Sequence, residues 1–213
     1  MTVPLPNLDS LLDATDQALR TLCAGSTSSR DHPAAQPQQR EKLTERQRQE
    51  SAALMRVNHA GEVAAQALYQ GQRLFARDPR VRERLTASAK EEQDHLAWCE
   101  RRLQELDTQP SRLNPLWYAG AYSIGALAGL IGDRASLGFV AETEQQVVEH
   151  LHDDLRRLPE DDARSRAILE QMAVDEANHG QAALLEGGVP PPPPVRRLMG
   201  LAGEIIRQIA YRV

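Results

Sequence analysis

A carboxylate followed some thirty residues later by Glu-x-x-His occurs twice in this 213-residue chain. Glu62 precedes Glu92-Gln93-Asp94-His95, and Glu144 precedes Glu176-Ala177-Asn178-His179, at intervals of 30 and 32 residues. On a helix, positions i and i+3 lie on one face, so each Glu/His pair aims at a single point. Two such pairs, joined by one Glu from each of two further helices, make the ligand set of a two-metal site inside a four-helix bundle. The repeat therefore predicts an all-α fold with Glu62, Glu92, His95, Glu144, Glu176 and His179 converging in its core.

The register of each segment supports this. On the second bundle helix Leu85, Ala89, Glu92, Leu96, Cys99, Leu103 and Leu106 step by alternating fours and threes, an apolar seam with one carboxylate set into it. The fourth helix repeats the pattern with Leu169, Met172, Glu176, His179 and Ala183, and the third with Val140, Glu144, Val147, Leu151 and Leu155. The first is weaker, with Met55, His59, Glu62, Gln66 and Tyr69. Four carboxylates on interior seams are costly unless counter-charged, and two divalent cations balance them at zero net charge. The simpler reading has these Glu exposed or paired with Arg. It suits a single Glu-x-x-His, but two copies on apolar seams favour metal. A third match, Glu149 to His152, falls about 200° from the seam residue Val147 and is excluded. His59 and His150 are left as candidates for supporting the ligands, or as satisfied half-buried histidines.

The bundle helices are expected at about 44–77, 79–106, 133–158 and 159–185, with an apolar, glycine-rich segment at 115–132. Prolines 190–194 read as a stiff spacer before a last amphipathic helix near 196–211. Upstream, 1–23 reads as an N-terminal amphipathic helix and 24–43 as a flexible linker, leaving 44–213 as the metal-site domain. A net charge of −5 argues against nucleic acid as a partner. Cys23 and Cys99 form neither a CxxC nor a zinc-ligand spacing, and MTVPLPNLDS lacks the regions of a secretory signal, so a reducing cytosol is expected. Carboxylate-rich coordination with two imidazoles and no thiolate suits iron or manganese, and with exchangeable positions it suits dioxygen activation. Glu92 and Glu176 are the expected bridging ligands.

The segments Arg56-Val57-Asn58-His59-Ala60-Gly61-Glu62, Glu92-Gln93-Asp94-His95-Leu96 and Asp175-Glu176-Ala177-Asn178-His179 resemble those of the demethoxyubiquinone hydroxylases, ferritin-like di-iron monooxygenases of ubiquinone biosynthesis. The resemblance covers roughly residues 44–213. It implies two Fe ions on the six residues named above, with O2 as co-substrate. The implied reaction is ring hydroxylation of a polyprenylated 3-methyl-6-methoxy-1,4-benzoquinol, one oxygen atom entering the ring and the other leaving as water. Where the family commonly shows an apolar-Glu-Glu run, this chain has Ala141-Glu142-Thr143-Glu144-Gln145, so Glu142 competes with Glu144. Seam position and spacing favour Glu144.

Such a substrate lives in a bilayer, which gives 115–132 three readings: a membrane span, an internal helix, or a surface lying in the membrane interface. The third is preferred, with Trp117, Tyr118 and Tyr122 as interfacial anchors and the basic amphipathic tail as a second contact. The chain is thus expected as a peripheral protein on the cytoplasmic face of the cell membrane. No dinucleotide or flavin fingerprint is present, which leaves NADH or a partner reductase as electron donor, and a ubiquinone-biosynthesis complex is among the expected partners. Two other readings compete: a different ferritin-like di-iron oxidase or peroxidase, and a non-enzymatic quinone- or lipid-binding bundle.

Overall fold

The computed structural model describes residues 7–34 and 42–213. These form seven helices and no strand: α1 (Leu8–Cys23), α2 (Glu45–Phe75), α3 (Pro79–Glu105), α4 (Asn114–Ile131), α5 (Asp133–Arg157), α6 (Ala163–Leu185) and α7 (Pro193–Ala210). The architecture is the expected ferritin-like helical bundle with an added apolar helix and a C-terminal amphipathic helix.

Short connections make α2–α3 and α5–α6 antiparallel hairpins, and α4 is the long crossover between them. Local chemistry sets the ends. Thr44 and Gln47 form a reciprocal capping box that starts α2. Asp78 caps α3, with Pro79 at a position where its missing N–H costs nothing. Gly187, at φ +94°, turns the chain out of α6 while the amides of Gly187 and Gly188 satisfy the carbonyls of Leu184 and Ala183. Asp133 holds the two hairpins together by accepting from the backbone amides of Arg77 and Asp78 at 2.9 and 2.8 Å.

The expected seams face inward. Leu85, Leu96, Cys99 and Leu103 of α3 are buried, as are Leu169 and Met172 of α6, Val140 and Leu151 of α5, and Met55 and Tyr69 of α2. Glu149 and His152 are exposed, as their register requires.

Glycine explains the seat of α4. A Cβ on Gly125 would lie 2.3 Å from the Leu68 carbonyl oxygen, and one on Gly71 would lie 2.3 Å from that of Tyr122. The two backbones therefore approach as closely as glycine permits. Gly125→Ala should cost about 2 kcal/mol, the overpacking penalty less the helix-propensity gain, measured as a lowered urea midpoint. An unchanged midpoint would contradict this contact.

Three expectations are corrected. Trp117 and Tyr118 do not sit as interfacial anchors: both are buried, Trp117 with Val57, Ala60 and Ala210, and Tyr118 with its hydroxyl donated to Gln70. The glycine seam turns that end of α4 towards α2. Helix α6 begins at Ala163 instead of 159, because Arg102 of α3 pins Asp162 at 2.8 Å as its N-cap. Pro193 and Pro194 belong to α7, whose first turn needs no proline N–H. Beyond these three, the segment 24–43, expected as a flexible linker, makes definite contacts over its described part to residue 34. Ser26 N donates to Glu100 at 2.8 Å, Ser29 N donates to Asp94 at 2.6 Å, and Ala34 is buried. Residues 1–6 and 35–41 of the upstream region lie outside the described residues.

Candidate metal centre

Four helices each deliver one seam carboxylate to the bundle axis: Glu62 from α2, Glu92 from α3, Glu144 from α5 and Glu176 from α6. With His95 and His179 they form two groups whose candidate ligand atoms lie within 4.8 Å of one another. One group is Glu62, Glu92, His95 and Glu176, and the other is Glu92, Glu144, Glu176 and His179. Glu92 and Glu176, the pair expected to bridge, are the two members common to both. All six residues are buried.

Both imidazoles point Nδ1 inward. His95 Nδ1 lies 3.1 Å from Glu92 and 3.0 Å from Glu176, and His179 Nδ1 lies 3.1 and 3.0 Å from the same two residues. Each Nε2 faces outward onto a carboxylate of the other Glu-x-x-His helix. His95 Nε2 is 3.0 Å from Asp175, and His179 Nε2 is 3.2 Å from Glu91. An outer carboxylate that accepts from Nε2–H fixes the tautomer in which Nδ1 is the free, basic ligand. Asp175 and Glu91 immediately precede Glu176 and Glu92 in the chain, so the two halves exchange these contacts symmetrically.

The geometry sets Glu142 and Glu144 apart. Glu142 turns away to accept from Gln146 Nε2 at 2.7 Å and to face Arg196 at 3.5 Å. Glu144 joins the cluster, and the Tyr69 hydroxyl donates to its Oε1 at 2.5 Å. The contacts of His59 and His150 lie with other residues. His59 Nδ1 pairs with Asn114 Nδ2 at 3.3 Å, and burial drives its pKa down to about 4. His150 lies beside Gly203 of α7, with burial lowering its pKa.

The electrostatics follow from burial and from the convergence of four carboxylates. Burial, then the charges on Glu92 and Glu176, raise the Glu62 and Glu144 carboxyls well above the usual range. Burial alone would lower His95 and His179, but hydrogen bonds to the surrounding carboxylates carry His95 well up and His179 to about 12. Burial opposes ionisation of Glu92 too, yet the two imidazoles hold its pKa well below normal. Four converging carboxylates thus call for positive charge in their midst. Glu62 Oε2 is a buried acceptor with no hydrogen-bond donor, and Glu92 Oε1 meets only the ring nitrogen of His179. Buried oxygens of that kind are what a cation satisfies, so the residues fit a metal pair.

Sequence reasoning missed Tyr69 as a partner of Glu144, and Glu91 and Asp175 as partners of the histidines. A signal was available for the last two, an acidic residue directly before each Glu-x-x-His. A crevice of about 10 Å3 between α2 and α5, lined in part by Leu68, Phe139 and Val140, reaches Tyr69 and Glu144.

The family model described as ubiquinone biosynthesis protein COQ7 matches residues 49–209. The chain belongs to this family. It is 53% identical over 207 residues to the 3-demethoxyubiquinol 3-hydroxylase of Cupriavidus metallidurans, covering 97% of this chain and 100% of that one. The hydroxylase of the same name from Cupriavidus taiwanensis is 54% identical with the same coverage. That from Nitrosospira multiformis is 51% identical over 209 residues, covering 98% and 100%. The COQ7 match contains all six residues of the cluster.

Proposed function

We propose that this chain is a 3-demethoxyubiquinol 3-hydroxylase in which Glu62, Glu92, His95, Glu144, Glu176 and His179 hold two irons, Glu92 and Glu176 bridging them. The observation that carries the reading is the pair of overlapping buried groups sharing those two carboxylates, in a chain about half identical to curated hydroxylases along nearly its whole length. Two bound irons would supply the activation of O2 that places one oxygen atom on the ring and releases the other as water, drawing two electrons from NADH or a partner reductase.

The chain's own residues do the rest. Asp175 and Glu91 keep Nδ1 of the histidines free to bind metal. Tyr69 occupies Glu144 Oε1 and leaves that carboxylate's other oxygen for the metal. Met172 and Trp98, buried in the cluster that joins α3 to α6, exclude water from that side, and Leu96 does so from the side of α2 and α4. Ring entry at the α2–α5 crevice would require Leu68 and Phe139 to part.

A polyprenyl tail calls for a bilayer, and three helices offer apolar surface. Leu8, Leu11, Leu12 and Leu19 of α1 are exposed, as are Leu116, Ile124, Leu127 and Ile131 of α4 and Leu198, Leu201 and Ile205 of α7. Tyr118, Tyr122, Leu22 and Ile206, from these same helices, pack on one cluster against α2, so the three clad one flank. Arg196, Arg197 and Arg212 are exposed on or beside α7. No helix among the described residues is long and apolar enough to cross a membrane. Peripheral attachment at the cytoplasmic face, alongside other ubiquinone-biosynthesis proteins, is the placement this favours.

The test is complementation of cells lacking the native hydroxylase. Glu144→Gln should leave demethoxyubiquinol accumulating, while Glu142→Gln should restore ubiquinone to at least about half the wild-type level, since it removes only a partly exposed ion pair. The reverse pattern would overturn the ligand assignment. Normal ubiquinone in the uncomplemented cells, with no second hydroxylase present, would overturn the function.

A further inference from the structure

Residues 26–34 lie outside the span of the family match, yet they cross the face of the metal centre where α3 meets α6. Backbone and hydroxyl groups fasten this strap to α3. Besides the Ser26 and Ser29 contacts, Ser28 Oγ donates to Asp94 at 3.0 Å and accepts from Trp98 Nε1 at 3.1 Å. The fastening presents one side chain, Arg30, to the back of the site.

The Arg30 guanidinium reaches both outer carboxylates. Its Nη2 lies 2.8 Å from Asp175 Oδ2, the oxygen that also faces His95 Nε2. Its Nη1 lies 3.9 Å from Glu91 Oε2, the oxygen that faces His179 Nε2. The guanidinium also covers the Trp98 ring, 4.9 Å from its centroid, and that ring lies 5.4 Å from the His95 ring. One cation from the strap therefore stands behind both motif histidines.

We infer that Arg30 is a positioning residue for the metal centre, orienting His95 through Asp175 and, more weakly, His179 through Glu91. This rests on the two-metal reading above. Charge explains the need. Two divalent cations balance the four inner Glu but leave Asp175 and Glu91 uncompensated, and Arg30 supplies one positive charge between them. The planar guanidinium sets one nitrogen on Asp175 Oδ2 and the other towards Glu91, while Gln171 Nε2 donates to Asp175 Oδ1 at 3.0 Å, so the carboxylate that orients the His95 ring is held at both oxygens. The two arms are unequal: Asp175 is close and only 10% exposed, whereas the Glu91 pair is long and the Glu91 side chain is 46% exposed to screening solvent. The metal position built on Glu62 and His95 accordingly depends on Arg30 more than the one built on Glu144 and His179.

Calorimetric Co(II) titration of the full-length, metal-stripped protein reads this without catalysis. Wild type should take up two Co(II). Arg30→Ala and Arg30→Gln should weaken one of the two by about 10- to 100-fold, the loss expected for an outer partner of a ligand, and the other by less than about threefold. Arg30→Lys, which keeps the charge without the planar guanidinium, should fall between. Thermal unfolding with and without Co(II) separates positioning from mere packing, since positioning lowers the Co(II)-bound Tm more than the metal-free Tm. Should Arg30→Ala lose its helical signal, the comparison of Lys with Gln at this position carries the test alone. Both affinities within twofold of wild type, or equal losses at both with equal Tm shifts in the two forms, overturn the role of Arg30. Fewer than two Co(II) in wild type itself overturns the two-metal reading and this inference with it.

Discussion

Glu92→Gln should leave the folded protein with fewer than two tightly held irons and lower ring hydroxylation by more than about 100-fold, the upper end of losses seen for mere outer partners of ligands. Glu92 is fully buried and belongs to both ligand groups, so its loss removes one oxygen from each metal position at once. Nδ1 of His95 and of His179 each lies 3.1 Å from its carboxylate, so Glu92 stands between the two nitrogens proposed to bind metal. An amide at that point has half the acceptor capacity and directs an NH2 at the remaining carboxylates or at the metals. Iron analysis and product assay on one preparation check the prediction, with circular dichroism to establish folding. A variant that keeps two irons and activity within tenfold of wild type would remove Glu92 from the ligand set.

The second large effect concerns delivery of the substrate. Leu127→Glu in α4 combined with Leu201→Glu in α7 should abolish co-sedimentation with anionic vesicles. Each leucine is about 60% exposed, at 61% and 62%, so neither holds the fold together. Burying a leucine in an apolar phase is worth roughly 1.5–3 kcal/mol, so each replacement should weaken vesicle affinity by at least tenfold, and the introduced charges deepen the loss. Hydroxylation of a short-chain, water-soluble demethoxyubiquinol should stay within about threefold, since neither position touches the metal centre, whereas the KM for long-chain substrate in vesicles should rise at least tenfold. Unchanged vesicle binding would mean that these faces are covered by protein rather than lipid.

How much of this could be read from the chain depended on the kind of signal. The seams of α3 and α6 were legible because a single Glu interrupts a strict apolar period, and the structure buries Glu92 and Glu176 where that period puts them. The same logic separated Glu144 from the exposed Glu149. It was less decisive for Glu142, which is also buried, and only its turn towards Gln146 and Arg196 takes it out of the cluster. Helix α4 defeated periodicity because it is apolar all round, so nothing local said which face meets α2. The answer lay in Gly71 and Gly125, whose missing Cβ atoms matter only once two backbones meet. The strap at 26–34 was illegible for a different reason. It is held by amide groups and small hydroxyls on Asp94, Glu100 and Trp98, contacts that leave no hydrophobic pattern in a Ser- and Pro-rich stretch.

Stepwise addition of Fe(II) to the metal-stripped, full-length protein, followed by O2, a reductant and demethoxyubiquinol, tests the central claim most directly. Hydroxylated product should rise with added iron and level off at two equivalents per chain. A plateau at one equivalent, or product formation independent of iron, would contradict a two-iron centre built from Glu62, Glu92, His95, Glu144, Glu176 and His179.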